Sequence, residues 1–331
     1  MISIFLSAFF ISLVTLVVVI FLSHKYEWFI DHSHDDKPQN FHKDSTPRAG
    51  GMGVLVGMLL LILTPLGLKF ILSILLAFFS GIFEDFHNSL SPKFRLSLQL
   101  IAALSAVLLS NSVVTYLGLG ISIPYWVGMV FSVFAIVGMM NAVNIIDGFN
   151  GLASGVVILI LISFATVSYQ QDNLEMLSIT LITLGATLGF FIVNFPKGKI
   201  FLGDGGAYLL GFIVAIIGIF LASKYEGISP WYILAVFIYP VWEVMFSIYR
   251  KRKAGRSPME PDAYHMHMLI FKHITHNNPL TAVFIVVSIA PFMLLSTLYA
   301  ANSGVNIVIV LLFVSCYVLL YKYLFVKEHA A

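Results

Sequence analysis

Long apolar runs, separated by short polar segments, divide the chain from end to end. Eleven of them are about as long as a membrane-spanning helix, which needs roughly 17 to 25 mainly apolar residues. They lie near residues 2–23, 49–66, 69–84, 94–110, 124–140, 152–169, 174–194, 206–222, 231–249, 280–299 and 304–325. Because backbone groups in hydrocarbon must pair within their own segment, and the alternating pattern of a membrane barrel is absent, these runs predict helices. The predicted fold is all-α, a polytopic transmembrane helical bundle of about eleven spans.

Composition supports this prediction. The 331 residues are 59% hydrophobic and 10% charged, whereas an ordinary soluble domain is about 25% charged. We therefore expect a single integral-membrane domain over residues 1–331. The first run has no lysine or arginine ahead of it and no small-residue cleavage site after it, which predicts a retained helix and not a signal peptide. The single cysteine, Cys316, excludes an intramolecular disulfide and is expected to be a small apolar side chain.

Lysine and arginine predict an orientation, because they concentrate in cytoplasmic loops. If residues 24–48 face the cytoplasm, alternating the spans leaves only Lys69 and Lys224 of the 18 basic residues outside. The N-terminus is therefore predicted outside and the C-terminus in the cytoplasm. The polar segments near 24–48, 84–95, 141–151, 194–206 and 250–279 then all lie on the cytoplasmic face. A net charge of +2 adds little, and no nucleic-acid partner is expected.

The segment NAVNIIDGFNGLASG, residues 141–155, interrupts the apolar pattern with polar side chains. Asn141, Asn144 and Asp147 recur every three residues and would form one polar stripe on a helix. Such groups in a membrane protein usually face a cavity and not lipid. Packing through small residues explains the glycines but leaves the stripe unexplained.

Two acidic sites lie at the predicted cytoplasmic ends of apolar runs. Glu84 and Asp85 end one run, and Lys93 and Arg95 open the next. Carboxylates that face basic residues across a short turn suit a metal–phosphate site; charges that merely end two helices are an equal alternative. Asp204 lies among glycines, where its carboxylate is expected to meet a cation or an aqueous cleft. Hard oxygen ligands favour Mg²⁺ or Mn²⁺. The glycine run does not follow a strand, so a dinucleotide-binding fingerprint is not supported.

Histidines and basic residues fill two further segments. DHSHDDKPQNFHKDSTPRAGG, residues 31–51, lacks the spacing of a structural zinc site. Its candidate anion contacts are Lys37, His42 and Arg48. YRKRKAGRSPMEPDAYHMHMLIFKHI, residues 249–274, has a basic run that positive-inside bias explains. Its Asp262, His265 and His267 could supply hydrogen-bond donors to a diphosphate or, as an alternative, ligands to zinc.

Together and in this order, the motifs resemble the polyprenyl-phosphate N-acetylhexosamine-1-phosphate transferases, a family that includes undecaprenyl-phosphate GlcNAc-1-phosphate transferases and the phospho-MurNAc-pentapeptide translocase. The matching residues are the acidic pair with Lys93, the segment NAVNIIDGFNGL, the segment FLGD and the late histidine motif. The form SPMEPDAYHMHML looks more like the GlcNAc-type transferases than the translocase. Two positions depart from the family pattern: Glu84 replaces a common aspartate, and Met268 replaces a histidine of many members.

The resemblance implies transfer of a HexNAc-1-phosphate from a UDP-N-acetylated sugar to undecaprenyl or another polyprenyl phosphate, with release of UMP. This would be the first membrane step of a cell-surface glycan pathway, such as lipopolysaccharide or cell wall biogenesis, at the bacterial inner membrane. The family also implies Mg²⁺ or Mn²⁺ and, by analogy, a homodimer. GlcNAc, GalNAc, QuiNAc and FucNAc donors all remain open.

Each candidate residue takes a role from the same resemblance. The catalytic candidates are Glu84, Asp85, Lys93, Asp147, His265 and His267. The substrate-binding candidates are Lys37, His42, Arg48, Asn141 and Asp262, and the metal candidates are Asn144 and Asp204. Asp85 or Glu84 would orient or deprotonate the lipid phosphate, and Asp262 would orient a histidine of the diphosphate site. Glu243 could support the basic loop or simply lie at the interface.

An ion-coupled membrane transporter is the main alternative from another class. Transporters also bury asparagine and aspartate in broken helices, but they place these groups near the bilayer midplane. The polar clusters here are predicted on one face, which favours the enzyme.

Overall fold

The computed structural model describes residues 1–31, 46–87, 91–257, 260 and 262–330. Lys37 and His42, two of the predicted anion contacts, lie outside the described residues.

Helices make up most of the described chain. The helices are α1 Ile2–Tyr26, α2 Gly50–Met58, α3 Pro65–His87, α4 Pro92–Ser110, α5 Tyr125–Ile146, α6 Leu152–Gln170, α7 Leu174–Asn194, α8 Gly203–Lys224, α9 Pro230–Val236, α10 Ile238–Lys253, α11 Met266–Ile270, α12 Asn278–Leu298 and α13 Ser303–Ala330. A 3₁₀ turn, Leu59–Leu63, follows α2, and a π-helical turn, Phe271–Thr275, follows α11. Two antiparallel pairs of short strands complete the fold: β1 Ile30–Asp31 with β2 Thr46–Pro47, and β3 Tyr116–Gly118 with β4 Ile121–Ser122.

The predicted all-α polytopic fold is confirmed. In the described part of the chain, nine helices are long and apolar enough to cross a membrane, or ten if a bent pair counts as one span. All eleven predicted runs are helical, but two are not single long helices. The second run is divided between α2 and the 3₁₀ turn, and Pro65 then begins α3. The number of spans and their orientation stay predictions.

The ninth run is bent where α9 meets α10. The two helices form an angle of 76°, and the break lies at Phe237. Pro240 falls in the first turn of α10, where a missing backbone N–H costs no intrahelical hydrogen bond. The bend places the polar end of α10, which carries four consecutive basic residues, beside the histidine segment.

Helix α8 forms the centre of the bundle and packs against α3 and α5. Glycines permit a very close approach at its N-terminal end. A Cβ atom on Gly81 of α3 would lie 2.4 Å from the backbone of Asp204 and Gly205. A Cβ atom on Gly51 of α2 would lie 2.5 Å from Gly206. The start of α8 is therefore held directly against the backbones of two other helices.

Backbone hydrogen bonds join the segment before α2 to the segment before α8. The N–H of Phe201 donates to the carbonyl of Pro47, and the N–H groups of Gly50 and Gly51 donate to the carbonyls of Phe201 and Leu202, all at 2.8 to 2.9 Å. The N–H of Arg48 donates to the carbonyl of Phe29 at 2.8 Å. These bonds fix Arg48 beside the N-terminus of α8.

Candidate active site

The carboxylate of Asp85, at the end of α3, caps the N-terminus of α8. Its two oxygens accept hydrogen bonds from the backbone N–H groups of Asp204 and Gly205, each at 2.9 Å. Gly203 begins the helix at φ of 75°, and a Cβ there would lie 2.7 Å from Oδ2 of Asp85, so the position requires glycine. Because free N–H groups make a helix N-terminus partly positive, the site favours negative charge.

Asp204 turns its side chain towards two arginines. Nη1 of Arg95 donates to Oδ2 of Asp204 at 3.1 Å, and Nη2 of Arg48 lies 3.9 Å from Oδ1. Arg48 also lies 4.0 Å from Asp85, and Arg95 lies 3.9 Å from Oε2 of Glu84. The end of α3 and the starts of α4 and α8 thus bring carboxylates and guanidinium groups into one cluster, which includes the predicted site residues Glu84, Asp85, Asp204 and Arg48.

The end of α5 adds amide and carboxyl groups to this cluster. Nδ2 of Asn144 donates to the Tyr208 hydroxyl at 3.4 Å, one turn beyond Asp204 on α8. Nδ2 of Asn141 instead donates to Oε1 of Gln99 on α4 at 2.9 Å. The predicted stripe therefore divides between two neighbouring helices.

Asp147 follows the last residue of α5 and lies near both Arg48 and Asp204. Burial raises the pKa of its carboxyl group to about 7; the Arg48 charge opposes this shift, and the Asp204 charge adds to it.

Side-chain amides hold the surrounding loops together. Oδ1 of Asn194 accepts from the N–H of Gly151 at 2.7 Å, and Nδ2 of Asn150 donates to the carbonyl of Pro196 at 3.0 Å. Oδ1 of Asn278, at the start of α12, accepts from the N–H of Asn150 at 2.8 Å. These hydrogen bonds connect three segments near the site, those around residues 147–151, 194–202 and 278.

The histidine segment contacts α10 and α13. Arg250 of α10 donates two hydrogen bonds to Asp262, at 2.7 and 3.1 Å. Nδ1 of His265 lies 2.9 Å from Oε1 of Glu243, whereas Nε2 of His265 lies 3.7 Å from Asp262. Glu243, and not Asp262, is therefore the hydrogen-bond partner that orients His265. Burial alone would raise the pKa of Asp262, but the Arg250 ion pair and a hydrogen bond from the Tyr264 N–H hold that pKa below its usual range.

His267 connects this segment to the carboxylate cluster. Its ring stacks on His265 with centroids 5.4 Å apart and meets the Phe149 ring edge-on at 5.7 Å. A Cβ on Gly148 would lie 3.6 Å from its Nε2. Burial lowers the pKa of His267 to about 4, so the imidazole is neutral near pH 7. Gly148 and Phe149 therefore lie against His267, and the preceding residue, Asp147, lies near Arg48 and Asp204.

The residues present fit a hard divalent cation. Among the described residues, no cluster of three or more His, Cys, Asp or Glu side chains is suited to a metal. Mg²⁺ at phosphoryl-transfer sites, however, usually takes one or two carboxylates together with water and substrate phosphates. Oε2 of Glu84 is a buried atom of a half-buried side chain, and it accepts no hydrogen bond in the described part of the chain. The nearer guanidinium contact of Asp204 is to Oδ2, so Oδ1, which lies 3.9 Å from Arg48, is the less engaged oxygen. Asn144 and Asp204 stay predicted metal ligands.

Three residues of the site, Arg95, Gln99 and Tyr208, were not among the site candidates chosen from the sequence. Lys93 is exposed and makes no ion pair within the described ranges, whereas Arg95, two residues later, contacts Asp204 and Glu84. Gln99 and Tyr208 lie inside apolar runs and hydrogen-bond to the two asparagines. Their only sequence signal is a polar atom in an apolar helix; Tyr208 also lies one turn after the candidate Asp204.

Comparison with known proteins identifies the family of the chain. Residues 68–222 match glycosyl transferase family 4. The phospho-N-acetylmuramoyl-pentapeptide-transferase of Streptococcus agalactiae serotype Ia is 33% identical over 251 residues, which cover 67% of this chain and 74% of that protein. The chain belongs to glycosyl transferase family 4. The same-named protein of Streptococcus thermophilus is 32% identical over 266 residues, or 71% of this chain and 77% of that protein.

Family membership confirms the resemblance inferred from the motifs. The chain is a multi-pass bacterial membrane protein and a transferase of this family. The matched residues 68–222 include the acidic pair, Arg95, the Asn141–Asp147 segment and Asp204. The late histidine segment lies beyond them.

Proposed function

We propose that this protein transfers a HexNAc-1-phosphate from a UDP-linked sugar to a polyprenyl phosphate in the membrane. The observation that carries the proposal is the meeting of Asp85, Asp204 and Arg95 at one end of α3, α4 and α8 in a member of glycosyl transferase family 4. This end lies on the predicted cytoplasmic face. A water-soluble nucleotide sugar and a lipid phosphate can both reach groups at such an interface.

The reaction exchanges one phosphorus–oxygen bond for another. An oxygen of the lipid phosphate bonds to the sugar-bearing phosphorus, and the bond from that phosphorus to the bridging oxygen of UMP breaks. UMP leaves with the electron pair. The lipid phosphate is already largely ionised near neutral pH, so the protein needs to position it more than to deprotonate it. Arg48 and Arg95 would bind phosphate oxygens, and His265 and His267 would contact the diphosphate.

The carboxylates take different parts in this scheme. Asp85 holds Asp204 and the N-terminus of α8 in place through two hydrogen bonds. Asp204 and Asn144 would hold Mg²⁺, which neutralises diphosphate charge when bound. Four carboxylates, those of Glu84, Asp85, Asp147 and Asp204, face the guanidinium groups of Arg48 and Arg95. With all ionised, an excess of two negative charges would remain, which one divalent cation would balance.

Two donor classes each have support. The sequence form of the histidine segment favours UDP-GlcNAc or a related UDP-HexNAc. The relatives from streptococci are phospho-N-acetylmuramoyl-pentapeptide-transferases, which favours a muramoyl-pentapeptide donor. The proposal takes the HexNAc donor, and the experiment distinguishes the two.

The test supplies purified protein with undecaprenyl phosphate, Mg²⁺ and one nucleotide sugar at a time. UDP-GlcNAc, UDP-GalNAc, UDP-QuiNAc, UDP-FucNAc and UDP-MurNAc-pentapeptide are compared by UMP release and by the mass of the lipid product. We expect UMP and a polyprenyl-diphosphate HexNAc. Product from the pentapeptide donor alone would replace the proposed donor, and no UMP from any donor would overturn the reaction.

Asp204→Asn tests the role of the central carboxylate in this assay. We expect UMP release to fall about a hundredfold or more, because the group acts on charge that develops at the diphosphate. Asp172→Asn is the matched control, since Asp172 is exposed in the loop between α6 and α7, outside the site. Equal activity of the two variants would remove Asp204 from the proposed mechanism.

A further inference from the structure

Glu243 of α10 is a carboxylate enclosed by three hydrogen-bond partners. The N–H of Met266 donates to Oε1 at 3.0 Å, and Nδ1 of His265 lies 2.9 Å from the same oxygen. The hydroxyl of Tyr317, on α13, donates to Oε2 at 2.8 Å. Only 1% of Glu243 is exposed. A carboxylate so deeply buried is strongly disfavoured unless donors satisfy both oxygens, and here they do.

These contacts determine which nitrogen of His265 faces Glu243 as a donor. An ionised carboxylate only accepts hydrogen bonds, so Nδ1 must carry a proton. Nε2 is left for another partner, because its 3.7 Å separation from Asp262 is too long for a hydrogen bond. Asp262 is already taken by the two donors of Arg250. Carboxylates that fix one imidazole nitrogen in this way set the tautomer and aim of the other.

We propose that Glu243 is a positioning residue that aims Nε2 of His265 at the diphosphate of the nucleotide sugar, with Tyr317 holding the carboxylate in place. The inference rests on the proposed function. In the complex, Nδ1–H donates to Glu243, and Nε2 takes up a proton from solvent and donates a hydrogen bond to a phosphate oxygen. Glu243 stabilises the imidazolium that carries both protons. The sequence alone leaves Glu243 as either a support for the basic loop or an interfacial charge.

Other contacts hold the rest of the histidine segment independently of Glu243. The Arg250 guanidinium pairs with Asp262 and lies 5.6 Å over the ring of Tyr264. The hydroxyl of Tyr321, one turn after Tyr317 on α13, donates to the carbonyl of Tyr264 at 3.3 Å. Removing the charge of Glu243 should therefore change the imidazole of His265 while the segment stays attached to α10 and α13.

Glu243→Gln tests the charge because it preserves the shape and one acceptor oxygen. We expect KM for the UDP-sugar to rise about ten- to a hundredfold, the effect usual when an orienting carboxylate is lost. The change in kcat should be smaller, since the contact is made to the bound substrate before reaction. In a His265→Asn background, Glu243→Gln should have no further effect on KM. Equal effects in the two backgrounds would show that Glu243 does not act through His265.

A spectroscopic measurement tests the inference without activity. In protein labelled with ¹⁵N-histidine, the signals lost in His265→Asn identify His265. We expect wild-type His265 to be protonated at Nδ1 and Glu243→Gln to show a mixture of tautomers. Tyr321→Phe is the matched control: it removes a hydroxyl contact to the same segment and should leave the tautomer unchanged. An unchanged His265 signal in folded Glu243→Gln overturns the proposal.

Two further comparisons keep the outcomes separate. Thermal unfolding shows whether each variant is folded, and Tyr317→Phe, which removes one donor to Glu243, provides a milder change with an effect in the same direction. If the wild-type protein releases no UMP, the proposed function fails while the tautomer measurement still decides the role of Glu243. If the wild-type protein is active and Glu243→Gln leaves KM unchanged, the inference alone fails.

Discussion

At the residue scale, His267 offers two buried ring nitrogens that a polar ligand or a bound water could contact. Neither ring nitrogen has a hydrogen-bond partner in the described part of the chain, although the residue is only 1% exposed. A buried polar atom without a partner costs free energy, so such atoms usually serve a ligand or a bound water. Because burial lowers its pKa to about 4, His267 would meet a ligand as a neutral group.

The same pKa predicts how stability depends on pH. An unfolded histidine binds a proton below about pH 6.5, whereas folded His267 stays neutral down to about pH 4. Between these values the unfolded state binds more protons, so stability falls as the pH decreases. We expect the melting temperature of the wild-type protein to fall between pH 7 and pH 4.5, and that of His267→Gln to fall less. Exposed His24 provides the control: His24→Gln should retain the full drop.

Glu84 and Asp85 are adjacent in sequence but differ in their contacts. Asp85 caps α8 with both oxygens, whereas Oε2 of Glu84 accepts no hydrogen bond within the described ranges. Losing a helix cap costs about 0.5–2 kcal/mol. We therefore expect Asp85→Asn to lower both the melting temperature and UMP release, and Glu84→Gln to lower UMP release alone. Equal melting temperatures for the two variants would contradict the capping role of Asp85.

At the scale of elements, glycines decide how closely α3 approaches the start of α8. A Cβ on Gly81 would lie 2.4 Å from the α8 backbone, whereas a Cβ on Gly138 of α5 would meet nothing within 4 Å. We expect Gly81→Ala to separate the helices, move Asp204 away from Asp85, and lower both UMP release and thermal stability. Gly138→Ala should be neutral or slightly stabilising, because alanine favours a helix by about 1 kcal/mol over glycine. Similar behaviour of both variants would argue against the tight crossing.

The sequence predicted helices well and their breaks poorly. An apolar run indicates that a segment is buried or lies in lipid. It does not show where the helix is interrupted, as by the 3₁₀ turn after α2 and the 76° bend before α10, because those breaks depend on local backbone geometry. Arg95 begins α4 together with Lys93, and for a related reason the sequence does not decide which of the two contacts the carboxylates. Arg95 lies two residues after Lys93, which is about 200° around a helix, so the start of α4 decides which of the two faces Asp204. The sequence does not distinguish Glu243 from an ordinary charged residue near a helix end, because its contact with Tyr317 depends on how α13 packs against α10.

At the scale of the whole molecule, the polar clusters lie at one end of the bundle. The end of α3 that carries Asp85 meets the start of α8. At the other end of α3, the N–H of Leu66 donates to Glu175 at the start of α7, and at the end of α8 Lys224 donates to the carbonyl of Asn111. A single-ended site suits a transferase with one soluble substrate better than a transporter, which needs access from both faces.

Orientation in the membrane can be measured with single cysteines. In a Cys316→Ala background, one cysteine replaces Lys197, in the loop before α8, and another replaces Glu226, in the loop after it; both positions are exposed. Because basic residues concentrate on the cytoplasmic side, we expect a membrane-impermeant maleimide to label position 226 in intact cells. Position 197 should react only after the cells are permeabilised. The reverse pattern would place the carboxylate cluster outside the cell, away from cytoplasmic nucleotide sugars, and would exclude the proposed reaction.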